Sequence, residues 1–144
     1  MTDIKKIDVL WDDNPVDISA EANFIWSIAN KLRGTYMPDK YGDVIIPMTI
    51  IRRFECALAK TKADVVAKYN ENPNYPAKGM YRISGYQFYN VSEFTLQELC
   101  NDADHIAENF KAYIQGFSDN IKDILNNLDM ETHIRKMDEG GCLF

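Results

Sequence analysis

Three thiols, two imidazoles and twenty-two carboxylates are the side chains of this 144-residue chain best suited to nucleophilic, metal or acid–base chemistry. Cys56, Cys100 and Cys142 are odd in number and far apart, with no C-x-x-C pair among them. His105 and His133 do not stand at metal-ligand spacing from them. Three reduced thiols therefore fit better than a disulfide framework or a zinc site. There is no P-loop, no G-x-S-x-G elbow, no H-E-x-x-H pair and no Cys–His arrangement. Gly140 and Gly141 are adjacent, but at a helix end. The carboxylates are spread over caps and exposed faces, so no acid–base pair stands out. These absences rank a binding module above an independent enzyme.

Charge is the more informative chemistry. The net charge is −6, but it is unevenly placed. Residues 1–30 carry two Lys and six Asp/Glu, net −4; residues 31–82 carry ten Lys/Arg and five Asp/Glu, net +5; residues 83–144 carry four and eleven, net −7. An acidic chain is not a typical free-standing DNA binder, yet a basic middle can face phosphate while acidic flanks face elsewhere. The candidate DNA contacts are Lys31, Arg33, Lys40, Arg52, Arg53, Lys78 and Arg82. Cations of this kind supply the phosphate neutralisation on which most affinity rests. Structural alternatives exist: Arg53 pairing with Glu108, and Arg33 at a helix C-terminus where a cation is favoured.

The elements that must position these groups read as helices. One runs from about 20 to 33, with Ser19 as N-cap and Gly34 as its left-handed stop. Phe24, Ile25, Ile28 and Leu32 share one face of it. Trp26 points elsewhere, either under Val9-Leu10-Trp11 or toward another chain. In the helix of residues 44–58, Ile50, Ile51, Phe54 and Leu58 form an apolar face, and residues 44–51 are apolar nearly all round, which predicts a central buried helix. Pro47 kinks it or sits in its first turn. Arg52 lies opposite the apolar face. Thr61 and Asp64 predict a capping box before a short helix to about 70.

Residues 71–92 read as a long aromatic-rich loop, with one short helical turn around 80–86; loops of that length are often functional. For Tyr81, Tyr86 and Tyr89 in it, packing onto the core is favoured over base stacking. Thr95 and Glu98 predict a second capping box. Asp102, Ser118 and Asp129 then cap three helices, with Ile106, Phe110, Tyr113 and Ile114 inward in the first, Ile121, Ile124, Leu125 and Leu128 in the second, and Met130, Ile134 and Met137 in the third. No segment sustains period-two alternation. The expected fold is all-α, an irregular bundle of about six or seven helices, with residues 1–18 as an extension and 19–144 as one helical domain. No apolar run approaches the ~18 residues of a membrane span, and the start lacks a signal-peptide apolar region, so the expected location is the cytoplasm.

Five strings, in order, resemble the amino-terminal domain of the modification (DNA-methylating) subunit of type I restriction–modification systems. They are Ala22-Asn23-Phe24-Ile25-Trp26-Ser27-Ile28-Ala29-Asn30-Lys31-Leu32-Arg33-Gly34; Tyr41-Gly42-Asp43-Val44-Ile45-Ile46-Pro47 running on to Ile51-Arg52-Arg53-Phe54-Glu55-Cys56-Ala57-Leu58; Phe88-Tyr89-Asn90 with Ser92-Glu93-Phe94-Thr95-Leu96; Ile106-Ala107-Glu108-Asn109-Phe110-Lys111-Ala112-Tyr113-Ile114-Gln115-Gly116-Phe117-Ser118; and Asp123-Ile124-Leu125. The resemblance implies a parent protein that methylates the amino nitrogen of adenine using S-adenosylmethionine. Neither the glycine-rich turn for that cofactor nor an Asn-Pro-Pro-aromatic motif occurs in this chain. What the resemblance implies here is therefore a domain without catalytic, cofactor or metal residues, expected to be an excised piece. Its implied partners are the specificity subunit, a second modification subunit, the restriction subunit and duplex DNA, with no membrane. Its implied role is helping to close the complex around DNA. A docking module for the other subunits, with Trp26 as a contact, is the alternative. A basic strip contiguous in space favours DNA, and scattered basic groups favour docking.

Overall fold

The computed structural model describes residues 16–143. Among them are eight α-helices, two 3-10 turns and no strand: α1 (Ser19–Leu32), a turn at Pro38–Lys40, α2 (Tyr41–Leu58), α3 (Lys62–Glu71), α4 (Ala77–Ser84), α5 (Leu96–Leu99), a turn at Ala103–His105, α6 (Ile106–Gln115), α7 (Asp119–Asn127) and α8 (Met130–Glu139). The all-α expectation holds, with one or two more helices than the periodicity suggested. Among the described residues no helix is long and apolar enough to cross a membrane.

The chain divides into two units, residues 1–31 and residues 32–144. In the first, α1 begins at Ser19 itself, whose N–H donates to the Asp17 carboxylate at 3.0 Å. The expected Ser19 cap is thus displaced, and Asp17 receives the amide instead. Phe24, Ile25 and Trp26 are all exposed, and Ile28 is half-buried. The expected inward face of Phe24 and Ile25 is not seen. The expected packing of Trp26 under Val9-Leu10-Trp11 lies outside the described residues.

In the second unit, Gly34 takes φ +93° and the Leu32 carbonyl receives the amides of Thr35 and Tyr36, as the stop signal predicted. The inward stripe of α2 is Val44, Pro47, Ile51, Glu55 and Leu58, at spacings of three and four. That is an amphipathic helix rather than one apolar all round: Ile46 is 58% exposed. Ile50 and Phe54 are half-buried, and Ile51 is fully buried. The helix starts at Tyr41, so Pro47 lies in its interior rather than its first turn. There its ring nitrogen cannot donate to Asp43. Ile51, Leu125, Ile134, Tyr113 and Met130 form the centre of the core, where α2, α6, α7 and α8 meet. Ile124 faces solvent, against expectation.

The predicted Thr95–Glu98 capping box is present, with reciprocal bonds of 3.2 and 2.8 Å. Asp102 accepts from the His105 N–H, as predicted. Three other caps differ. Thr61 makes no capping bond; its hydroxyl donates to the Ser84 carbonyl at 3.0 Å, joining the start of α3 to the end of α4. The Ser118 hydroxyl accepts the Tyr89 N–H instead of capping α7. Asp129 opens α8 from a left-handed conformation, φ +53°, without a side-chain bond. In each case a partner distant in sequence, or the chain path itself, overrides the local preference.

The expected loop at 71–92 contains an eight-residue helix, α4, ended by Gly85 at φ +80°. Met80 and Ser84 are its buried residues. Residues 88–92 then pair with the end of α6: Ser118 N–H donates to the Tyr89 carbonyl and Val91 N–H to the Gly116 carbonyl, both at 2.8 Å. Buried Asn90 donates to the Tyr113 carbonyl and accepts from Ser92 N–H. A Cβ at Gly116 would lie 2.7 Å from Asn90 Oδ1 and 2.8 Å from Ser92 N, so only glycine fits that approach.

Candidate functional site

The seven candidate cations are all exposed. Lys31 belongs to the first unit and the other six to the second. Those six fall at four places in the chain. Arg33 precedes the Gly34 turn, Lys40 ends the first 3-10 turn, Arg52 and Arg53 are neighbours on α2, and Lys78 and Arg82 lie one turn apart on α4. The Lys78–Arg82 pair shares a helix face because residues four apart do so.

Two of the seven are engaged. Lys40 is 3.9 Å from Asp43, both well exposed, a distance at which little stabilisation is expected. Arg52 is different. Its guanidinium is largely exposed, but it binds the buried Glu55 carboxylate at 2.5 Å. That hydrogen bond raises the Arg52 pKa, with the nearby Cys56 and the Glu55 charge adding to the effect. Arg52 lies roughly a quarter-turn from the observed stripe rather than opposite it, where it reaches a core carboxylate. For Arg33, Arg53, Lys78 and Arg82 there is no carboxylate within 4.0 Å among the described residues, and the expected Arg53–Glu108 pair is not formed.

Glu55 is the polar centre that spacing alone did not single out. Its second oxygen accepts the Leu96 N–H at 2.7 Å and lies 3.5 Å from the Tyr113 hydroxyl. Burial, then the Glu55 charge and hydrogen bond, push the Tyr113 phenol strongly upward, so it stays neutral. The Lys62 ammonium sits 5.5 Å from the Tyr113 ring centre. Burial lowers the Lys62 pKa, against the pull of Glu55 and Glu98. One sequence signal pointed to Glu55: it falls four residues after Ile51 and three before Leu58, a charged residue in register with a core stripe.

The cluster holds elements together. Its chemistry is charge compensation: a carboxylate buried from water needs hydrogen bonds and a countercharge, and Leu96, Tyr113 and Arg52 provide them. Among the described residues no three His, Cys, Asp or Glu side chains converge as metal ligands would. Aromatic rings add a second join. Phe54 lies 4.8 Å from Phe88 and 6.2 Å from Phe117 between centroids, and Tyr81 lies 5.8 Å from Tyr89. Tyr81 and Tyr89 are half-buried, in keeping with packing, whereas Tyr86 is 46% exposed.

Strings far apart in the chain thus meet at one place: Phe54 and Glu55, residues 88–90, Leu96, and residues 113–118. Compared with known proteins, residues 22–141 match the family model described as the HsdM N-terminal domain. No curated protein and no solved structure matches the chain.

Proposed function

Because the chain belongs to the HsdM N-terminal domain family, the N-terminal region of the modification subunit of type I restriction–modification systems, we propose that it is a contact domain that touches DNA when the complex closes around it. On this reading the chemistry, and the S-adenosylmethionine that supplies the methyl group, belong to the rest of the modification subunit. The domain works in the cytoplasm beside the specificity subunit, a second modification subunit and the restriction subunit.

The observation that carries the reading is the state of the basic middle. All seven candidate cations reach solvent, and the ion pairs within residues 31–82 are short-range, from Lys40 to Asp43, Arg52 to Glu55 and Lys68 to Glu71. Among the described residues no ion pair joins that stretch to the acidic segment 83–144. The candidates stand on several elements rather than on one strip, which speaks for docking; the cations left without a carboxylate partner speak for phosphate, and their contribution is largest when partner subunits hold the DNA nearby at high effective concentration.

The test removes charge at Lys31, Arg33, Arg53, Lys78 and Arg82 in the assembled complex. Arg52 is kept because Glu55 depends on it. Taking away one cation that neutralises a phosphate flattens the log–log salt dependence of DNA binding by about 0.9. Unchanged affinity and slope, with weakened subunit assembly, would reject DNA contact in favour of docking. The exposure of Phe24, Ile25 and Trp26 along one helix is the specific support for that second reading.

A further inference from the structure

From Asn72 to Ser92 the chain holds two cations, Lys78 and Arg82, five aromatic rings and no Asp or Glu, in a protein with twenty-two acidic residues. Folding sorts these groups. Met80 and Ser84 turn inward from α4, while Lys78 and Arg82 face solvent with no carboxylate in ion-pair range among the described residues. Four of the rings have positions against the protein. Tyr75 lies beneath the Lys68 ammonium, Tyr81 and Tyr89 pair, and Phe88 rests on Phe54. Tyr86 keeps nearly half its surface exposed, and its hydroxyl has no protein partner among the described residues.

Tyr86 is nevertheless held firmly. Its N–H donates to the buried Ser84 hydroxyl at 3.2 Å, and that oxygen lies 3.1 Å from the Tyr86 carbonyl and 2.9 Å from the Phe88 carbonyl. The next carbonyl, that of Gln87, accepts from the Asn120 amide at 2.8 Å. One face of the ring meets Phe88 at 5.3 Å, and Phe88 continues through Phe54 to the buried Phe117. A ring fixed by its backbone and by one tilted aromatic neighbour gives up little entropy on binding, which suits it to recognition.

We infer that Lys78, Arg82 and Tyr86 form one contact surface for the sugar–phosphate backbone of duplex DNA. Lys78 and Arg82 neutralise phosphates, and the Tyr86 hydroxyl donates a hydrogen bond to a phosphate oxygen. Backbone contact is the mode that fits: a duplex keeps its bases stacked, and phosphate oxygens are the acceptors that Lys, Arg and Tyr side chains meet most often on DNA. No acidic residue within 72–92 repels a polyanion, and Asp119, whose charge reaches Tyr89, is paired with Lys122 at 3.0 Å. This inference rests on the DNA-contact reading above and assigns it to a particular helix and loop.

The experiment uses the assembled complex and a duplex carrying its recognition site, with binding measured across a salt series. Tyr86→Phe removes the hydroxyl and keeps the ring. It lowers affinity about fivefold, the worth of one hydrogen bond, without changing the salt slope, because no counterion is involved. Lys78→Ala with Arg82→Ala flattens the slope by about 1.8. Thermal melts of both variants match the parent, since all three side chains are exposed. If both variants bind like the parent while charge removal at Lys31, Arg33 and Arg53 flattens the slope, this surface is wrong and the DNA-contact reading stands. If every variant is inert toward DNA, the reading itself falls. If the Lys78/Arg82 variant loses a subunit rather than DNA affinity, the surface belongs to a protein partner and the inference is overturned.

Discussion

The carboxylate of Glu55 accepts the backbone N–H of Leu96 at 2.7 Å, across forty-one positions of sequence. Leu96 is the first residue of α5, and the Thr95–Glu98 box supplies the other cap bonds of that helix. The side chain of one helix thus completes the cap of another. Removing it with Glu55→Ala leaves the Leu96 amide and the Tyr113 hydroxyl without their acceptor and Arg52 without its countercharge. The expected loss is about 3 kcal/mol, read from urea melts. Arg52→Ala costs less, because Leu96 and Tyr113 still hold the carboxylate. Equal losses for the two would show that the ion pair, and not the backbone bond, carries the cluster.

Ile51 and Ile46 sit on opposite sides of α2, the one fully buried and the other 58% exposed. Ile51→Ala should destabilise the fold by about 2–5 kcal/mol, and Ile46→Ala by less than about 0.5 kcal/mol. Denaturant midpoints measured side by side check this. A reversed order would mean that the helix faces the core with its other side.

Gly116→Ala places a methyl group against Asn90 Oδ1 and the Ser92 amide. Backbone on one side leaves little freedom to yield, so overpacking should cost about 1–3 kcal/mol. Amide exchange localises the effect: protection at Val91, which donates to the Gly116 carbonyl, falls before protection at Ile51. A melt unchanged from the parent would show that residues 88–92 do not close on this glycine.

His105 titrates above its ordinary 6.5, because its ring bonds the Asp102 carboxylate and that charge favours the imidazolium. The folded state therefore binds the proton more tightly than the unfolded chain. Its contribution to stability is complete below about pH 6.5 and is lost as pH rises through the folded value. Asp102→Asn keeps an acceptor for the His105 amide and removes the charge. Imidazole chemical shifts followed by NMR should then return to an ordinary titration; an unmoved midpoint would assign the shift to another group.

The proposed role leaves cofactor binding to the rest of the modification subunit. Calorimetric titration of this chain with S-adenosylmethionine is expected to give no measurable heat of binding. A micromolar dissociation constant would overturn the contact-only role.

Much of the helical order was legible because it is written in short-range terms. The periods of α6 and α8, the Thr95–Glu98 box, the Asp102 cap and the Gly34 stop involve residues within a few positions of each other. Hydrogen-bond reach and helical pitch act locally, so residue order suffices for them. Thr61 and Ser118 carry the same local signals, yet their hydroxyls serve Ser84 and Tyr89. Glu55 illustrates the same limit at the site. Its register with Ile51 and Leu58 announces burial, but its acceptor role depends on Leu96 and Tyr113, which only the packing of α2 against α5 and α6 brings near. The basic middle was visible as composition, whereas the freedom of Lys78 and Arg82 and the exposure of the Tyr86 ring depend on which neighbours the tertiary structure supplies. A charge or an aromatic ring belongs to its residue, but its pairing and solvent exposure belong to the assembled fold.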